Sequence, residues 1–551
     1  MVIVVNLRFN PSSYGVDDVL VSTISHEFRI VFRIAELIKM QELLSTNRSV
    51  SLAVALPTIL ATILFLAVGT GDSESLGAFL AQALTFIAEI CGPWFLLSGL
   101  AIIAVVVYVC CSRIGDIRFG GPEAKPIYSV GTWFVLALNG CIGTGILFWA
   151  MGEPIFHFAQ PPAGAQVEPF SREAAIFAVS QTMIHWTIAQ YAMYTVAGLV
   201  IGICAYNQRR KLSLVSYLEG RVSHRSYVFW RTVINAICLC CVLGAVSCST
   251  GVGLMQIASG LEHIGWIQSS KAVWIMVDTL LMIVFITSCV LGIKKGLSHI
   301  SRICTSIFTL LLVWVLLFGP TGFILNLGVE SIGMFINHFV EHSVILPTMT
   351  DGETWSRDWT IQFWASFFVY APILGLFLAR LARGRTVRQF IWINIVAPSL
   401  FCIAWIAIFA STALYLQTSG QFDIWKHVQE SGFESTIFTI IRGMPGGSVL
   451  IVVFIVAVFF SLATLCDAIT STMAILSTKA LTVADEPPAS LKIFWGSIVG
   501  AVSFVLISSG GMHSVRSLFA IIGVPTAAVV LWYTYLVVFR HNELFCSSRQ
   551  D

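Results

Sequence analysis

Charged residues are scarce in this chain. Lys, Arg, Asp and Glu supply 11% of its 551 residues, while 57% are hydrophobic and the mean hydropathy is +0.86. No soluble domain of this length has that balance, so the chain is expected to be an all-α integral membrane protein. The net charge is +2 and no basic block occurs, which argues against nucleic acid as a partner. A Walker-type phosphate loop, a His-Glu-x-x-His motif and a nucleophile constellation are all missing, so no enzyme activity and no cofactor are indicated. Any uphill transport must then draw on ion or solute gradients. Of the 14 cysteines, Cys110, Cys111, Cys238, Cys240, Cys241 and Cys248 lie in apolar spans and read as small buried thiols. No zinc spacing and no secreted disulfide framework is present. Residues 1–48 lack the apolar core of a cleavable signal peptide and read as a cytoplasmic N-terminal tail. Within it, residues 29–39 have the period of a membrane-surface helix, and Met40 is an alternative start.

Apolar runs of the roughly 20 residues that cross a bilayer number about twelve. They begin near Ser51, Gly92, Val130, Ala174, Val228, Ala272, Ile303, Ile361, Ile391, Gly447, Leu491 and Leu518. Basic residues gather on alternate loops, at Arg113/Arg118/Lys125, Arg209/Arg210/Lys211/Arg221/Arg225, Lys294/Lys295/Arg302 and Arg383/Arg385/Arg388. The positive-inside rule makes these loops cytoplasmic, with both termini inside. The opposite loops carry Asp72/Glu74, Glu262, Glu330/Glu341/Asp351/Glu353 and Asp423/Glu430/Glu434. No linker divides the bundle, so residues 49–540 are read as one domain with a short cytoplasmic tail at 541–551.

Two spans are unfriendly to a continuous helix and are candidate gating elements. The third contains Asn139-Gly140-Cys141-Ile142-Gly143-Thr144-Gly145, and the tenth contains Thr464-Leu465-Cys466-Asp467-Ala468. Freed backbone groups inside a membrane persist where they line a cavity. The other reading of the glycines, less favoured, is close helix packing. In the fourth span Trp186, Tyr191 and Tyr194 fall within an arc of roughly 140° at about 100° per residue. In the eighth, Phe367 and Tyr370 lie about 60° apart. Two such faces make either an aromatic core or a box for a quaternary ammonium, whose methyl-spread charge suits ring faces. Asp467 is the deepest carboxylate and is open to a coupling or gating role, with Thr464, or to a structural hydrogen bond. Asp278, Glu89 and His185 are weaker candidates.

Four signatures resemble the betaine/choline/carnitine transporter family. They are Gly143-Thr144-Gly145-Ile146-Leu147-Phe148-Trp149 with Glu153-Pro154 and Gln160-Pro161-Pro162; His185-Trp186 with Tyr194; Lys295-Gly296 with Ser301; and Trp359-Thr360, Trp364 and the run from Ala379-Arg380 through Arg383-Gly384-Arg385-Thr386 to Arg388. The resemblance implies twelve transmembrane helices. The last ten form two inverted five-helix repeats in a LeuT-like fold, roughly 127–326 and 355–540, preceded by two extra helices. It also implies a homotrimer in the cytoplasmic membrane and an alternating-access transporter for glycine betaine, choline, carnitine or a similar compound, working as symporter or antiporter. A ligand-binding sensor that does not transport is the alternative. The implied substrate site is Trp186, Tyr191, Tyr194, Phe367 and Tyr370 beside Gly143 and Gly145. Where many members read Trp-Ala-Trp-Trp, this chain reads Trp364-Ala365-Ser366-Phe367. Sodium-coupled members carry two adjacent hydroxyls in the tenth span. Here those positions are Thr464 and Leu465, so a sodium site at Ile142 and Thr464 is degenerate and coupling stays open.

Overall fold

The computed structural model describes residues 50–71, 73–142, 145–348, 353–431, 433–479, 481–483 and 485–546. The expected tail at 1–48, Gly143 and residues 547–551 lie outside the described residues. The described chain is helical, with only isolated bridges of extended structure. Its helices are α1 (Leu52–Gly71), α2 (Ser73–Cys111), α3 (Val130–Ile142), α4 (Gly145–Ala159), α5 (Arg172–Trp186), α6 (Ile188–Gly202), α7 (His224–His263), α8 (Lys271–Gly292) and α9 (Ser298–Phe318). There follow α10 (Thr321–His342), α11 (Gln362–Leu381), α12 (Val387–Ile391), α13 (Ala397–Thr418), α14 (Ile424–Ser431), α15 (Phe433–Arg442), α16 (Gly447–Leu476) and α17 (Ala489–Phe539).

Among the described residues ten helical runs are long and apolar enough to cross a membrane, and the bent pair α3 and α4 makes an eleventh. The count differs from the expected twelve for three reasons. Of α1 only Leu52–Phe65 enters the count and falls short, Lys271–Phe318 counts as one run, and the unexpected α10 qualifies. That long run nevertheless folds back on itself. A side chain at Gly296 would put its Cβ 1.9 Å from the Ser288 carbonyl oxygen, whereas eight residues of straight helix span about 12 Å. Gly292, at φ +79°, makes the turn.

Burial separates centre from periphery. In the apolar 18-residue stretches of Arg172–Asn207 and Arg357–Leu381, 94% of the residues are buried, whereas in those of Gln82–Cys111 and Lys271–Phe318 the share is 33%, and apolar side chains turn outward. The basic loops do gather at one end of the bundle. Phe119 N donates to Arg385 O and Leu212 N to Leu481 O, both at 2.9 Å, and Lys492 Nζ donates to Cys289 O at 2.8 Å. The arginine-rich run after α11 acts there as a clamp. Arg385 donates to Tyr128 O at 2.6 Å, and Arg388 donates to Cys110 O at 2.9 Å and pairs with Asp116. At the opposite end Ala163 N donates to Glu353 Oε1 at 2.9 Å, Arg172 pairs with Glu330, and Trp314 Nε1 donates to Pro445 O.

Two helix breaks differ from expectation. The third span bends by 57° between α3 and α4. The tenth, however, is one uninterrupted helix, α16, in which several hydroxyls donate to the helix's own carbonyls. Thr464 Oγ1 donates to Ser461 O at 2.8 Å and Thr472 Oγ1 to Ala468 O at 2.9 Å. The fourth span instead breaks at Thr187, whose φ of −124° and ψ of −113° leave the helical region between α5 and α6.

Candidate functional site

The two breaks meet. α4 begins at Gly145, and a Cβ there would lie 2.4 Å from the indole of Trp186, the last residue of α5. Only glycine lets the tryptophan lie against the start of α4. The carbonyls left free at the end of α3 find side-chain donors. Gln190 Nε2 donates to Cys141 O at 3.1 Å, and Thr464 Oγ1 reaches Asn139 O at 3.4 Å.

Beside this contact lies a cavity of about 120 Å³. Its aromatic walls are Trp149, Trp186, Tyr194, Phe363, Phe367 and Tyr370, and Gln190, Gln256, Gln362 and Ser249 supply polar atoms. No charged side chain lines it among the described residues. The Trp186 ring stands edge-on to Phe363 at 5.0 Å and to Phe367 at 5.8 Å, while Phe363 and Phe367 stack at 6.3 Å. Such a corner of ring faces, shielded from water, holds a methylated cation without a carboxylate.

The structure brings Trp186, Tyr194, Phe367, Tyr370, Gly145 and Ile142 to this cavity. Tyr191 is not among its lining residues: its hydroxyl contacts Cys402 Sγ on α13 at 3.2 Å. The reason is the Thr187 break, which resets the helical phase, so an arc counted from Trp186 does not extend to Tyr191. Thr464 lies outside the lining, at the end of α3, and its neighbour Leu465 faces the cavity instead. Asp467 accepts from Ser288 on α8, again off the cavity. Sequence reasoning missed Phe363, one helical turn before Phe367 on the same face of α11, and the glutamines, which carry no periodic signal.

It also missed the charge behind Trp186. Trp186 Nε1 donates to Glu153 Oε2 at 2.8 Å. The other oxygen of Glu153 meets His185 Nδ1 at 2.5 Å and His157 Nε2 at 3.1 Å, and all three groups are fully buried. Their ligand-type atoms lie within 4.8 Å of one another. Hydrogen bonds already occupy them, however. Trp355 Nε1 donates to His157 Nδ1 at 3.1 Å, and His185 Nε2 meets Thr360 Oγ1 at 2.8 Å. The cluster is therefore a closed hydrogen-bond network and not an open metal site. The i, i+4 spacing of Glu153 and His157 was legible; their meeting with His185 across 28 residues of chain was not.

A model of the betaine/carnitine/choline family of transporters matches residues 53–543. The chain is 27% identical over 469 residues to the ectoine/hydroxyectoine transporter of Virgibacillus pantothenticus, covering 85% of this chain and 92% of that one. It is 28% identical over 467 residues to the glycine betaine transporter OpuD of Bacillus subtilis, covering 84% and 89%. An uncharacterised transporter of Mycobacterium tuberculosis is 31% identical over 434 residues, covering 78% and 71%. A solved structure of a Na+-coupled sialic acid symporter covers 82% of this chain and 85% of its own at 13% identity, with a TM-score of 0.41.

Proposed function

The chain belongs to the betaine/carnitine/choline family of transporters, and on that premise we propose that it carries a quaternary ammonium compound such as glycine betaine, choline or carnitine. The observation that carries this reading is the cavity whose walls are rings and whose lining holds no charge. A cation desolvated there gains on the order of 0.5–2 kcal/mol from each ring, whereas a buried carboxylate would select for N–H donors. The start of α4 at Gly145 turns the positive end of a helix toward the same space, which suits a substrate carboxylate. Ectoine, named for one relative, is a cyclic zwitterion that the same features accommodate.

Transport proceeds by alternating access, with the joints at Gly145 and Thr187 flexing around the cavity. Twelve spans in two inverted five-helix repeats, residues 49–540 as the transporter domain, cytoplasmic termini, a homotrimer in the cell membrane and coupling to an ion gradient or substrate exchange belong to this proposal. In the tenth span the Thr464 hydroxyl donates to backbone carbonyls and keeps its lone pairs, whereas Leu465 brings no side-chain oxygen, so one of the two hydroxyls of a sodium site is lost.

The test is uptake of labelled glycine betaine, choline, carnitine and ectoine into proteoliposomes, with unlabelled substrate preloaded in a parallel set. Saturable uptake with counterflow is expected for at least one of them. Saturable binding without flux would replace this reading by the non-transporting sensor.

A further inference from the structure

We propose that His338, Glu341 and His342, on the last two turns of α10, bind a transition-metal dication of the Zn2+ class, and that its occupancy slows transport. The binding site stands by itself, whereas the slowing rests on the transporter reading above.

The run His338-Phe339-Val340-Glu341-His342 puts the glutamate three residues and the second histidine four residues after the first. On a helix those spacings share one face. The imidazoles of His338 and His342 lie side by side, with centroids 5.1 Å apart and planes within 17° of parallel. A ring nitrogen of each histidine and a carboxylate oxygen of Glu341 all lie within 4.8 Å of one another. Ligand atoms around a tetrahedral Zn2+, at bonds of about 2.0–2.1 Å, stand about 3.3 Å apart, so no pair need close by more than about 1.5 Å. The side chains of His338 and Glu341, 46% and 71% exposed, can make that move. The hydrogen bond between them, His338 Nδ1 to Glu341 Oε2 at 2.9 Å, is itself exposed, so an ion can replace it.

This set is open where the one behind Trp186 is closed. His342 is 7% exposed, and its Nδ1 is buried without a hydrogen-bond partner among the described residues. A buried polar atom calls for a partner, and a metal ion supplies one. Two imidazoles with one carboxylate suit Zn2+, Ni2+ or Cu2+, whereas Ca2+ and Mg2+ take oxygen ligands. Three protein ligands leave a fourth position for water. The set also closes α10, and the partial negative charge of a helix C-terminus favours a cation there. The effect on transport follows from what α10 ends against. The His342 ring stands edge-on to Phe177 of α5 at 5.2 Å, and the His342 carbonyl accepts from Gln181 Nε2 of the same helix at 3.3 Å. α5 ends at Trp186, a wall of the cavity, directly before the break at Thr187. An ion that ties His342 to His338 and Glu341 favours the one arrangement in which they converge, and so restrains the helix that must move at that joint.

The test titrates Zn2+ into the purified, tag-free, full-length protein in competition with a chromophoric zinc chelator. Wild-type protein should bind Zn2+, and excess Mg2+ should not displace it. His338→Gln and Glu341→Gln, both at exposed side chains, should each weaken binding at least about tenfold, as should His342→Asn. His299→Gln, at an exposed position of α9, should leave it unchanged. Counterflow of labelled glycine betaine or choline in proteoliposomes should fall about fivefold or more at saturating Zn2+ in the wild type and stay unchanged in His338→Gln. No wild-type binding, or binding undiminished by His338→Gln and Glu341→Gln, overturns the site. Binding that leaves wild-type counterflow unaltered overturns the slowing. Absence of counterflow without Zn2+ overturns the transporter reading instead, and the titration still decides the site. If His342→Asn fails to fold, the two exposed variants decide.

Discussion

The two ends of the eighth span are held by opposite kinds of chemistry. At one end Thr360, in the turn Arg357–Ile361 that leads into α11, reaches His185 and through it Glu153 and Trp186. All of these groups are buried, and hydrogen bonds link them. At the other end Arg380 donates to Glu486 Oε1 at 2.6 Å, Lys492 donates to Glu486 Oε2 at 3.0 Å, and Arg380 touches Ser471 at 3.3 Å. That tie is ionic and borders the loop between α16 and α17. The first connects directly to a wall of the cavity, whereas the second does not contact it. The difference teaches that a binding function and a stabilising function are separated along one helix.

The largest expected effect breaks the first end. Trp186→Ala removes a ring and the donor to Glu153, so the dissociation constant for substrate should rise at least about tenfold, a loss of about 1.4 kcal/mol or more, measured by ligand binding to purified protein. Gly145→Ala attacks the same contact from the other side. Its Cβ must displace the Trp186 ring, costing about 1–3 kcal/mol and weakening binding severalfold while expression persists. At the second end, Arg380→Ala removes one of the two cations that Glu486 holds, Arg380 at 2.6 Å and Lys492 at 3.0 Å. Thermal unfolding in detergent should show a loss of about 1–2 kcal/mol, with substrate affinity within about twofold of wild type.

Acidity sharpens the contrast further. Burial opposes the charge of Glu486, but Arg380 and Lys492 outweigh it and hold the carboxyl below its ordinary value of 4.5. A depressed carboxyl contributes stability that is complete above the unfolded value and is lost as the pH falls through the lower folded one. Lowering the pH from about 7 to about 5.5 should therefore leave this tie intact, and unfolding temperatures of wild type and Glu486→Gln should differ by the same amount at both values. The smallest effect is the expected null of Tyr191→Phe. It removes a hydroxyl that faces Cys402, so substrate affinity should stay within about twofold, whereas Phe363→Ala should weaken it.

The fold was largely legible because a bilayer demands long apolar runs, and the basic loops sort by side whatever the packing. The break at the third span was legible because its glycines are dense. The break at Thr187 was not, since a threonine in an apolar run carries no such mark, and that hidden joint is why Tyr191 was grouped with Trp186. In the tenth span, chain chemistry suggested an interruption, whereas the helix is continuous and several hydroxyls donate to its own carbonyls. In the eighth, α11 is continuous from Phe363 to Tyr370, so residues one and two turns apart share a face and the spacing was informative. The glutamate behind Trp186 depended on a meeting of three separate helical segments, which no local pattern encodes.

A pocket without ionised walls also has a consequence for the medium in which the protein works. Mobile ions act by screening fixed charges, and over the short, dry distances between a methylated cation and a ring there is little for them to screen. Substrate affinity should therefore be almost indifferent to the ionic strength on either face of the membrane, so that a cell whose salt content swings widely keeps the same grip on its solute.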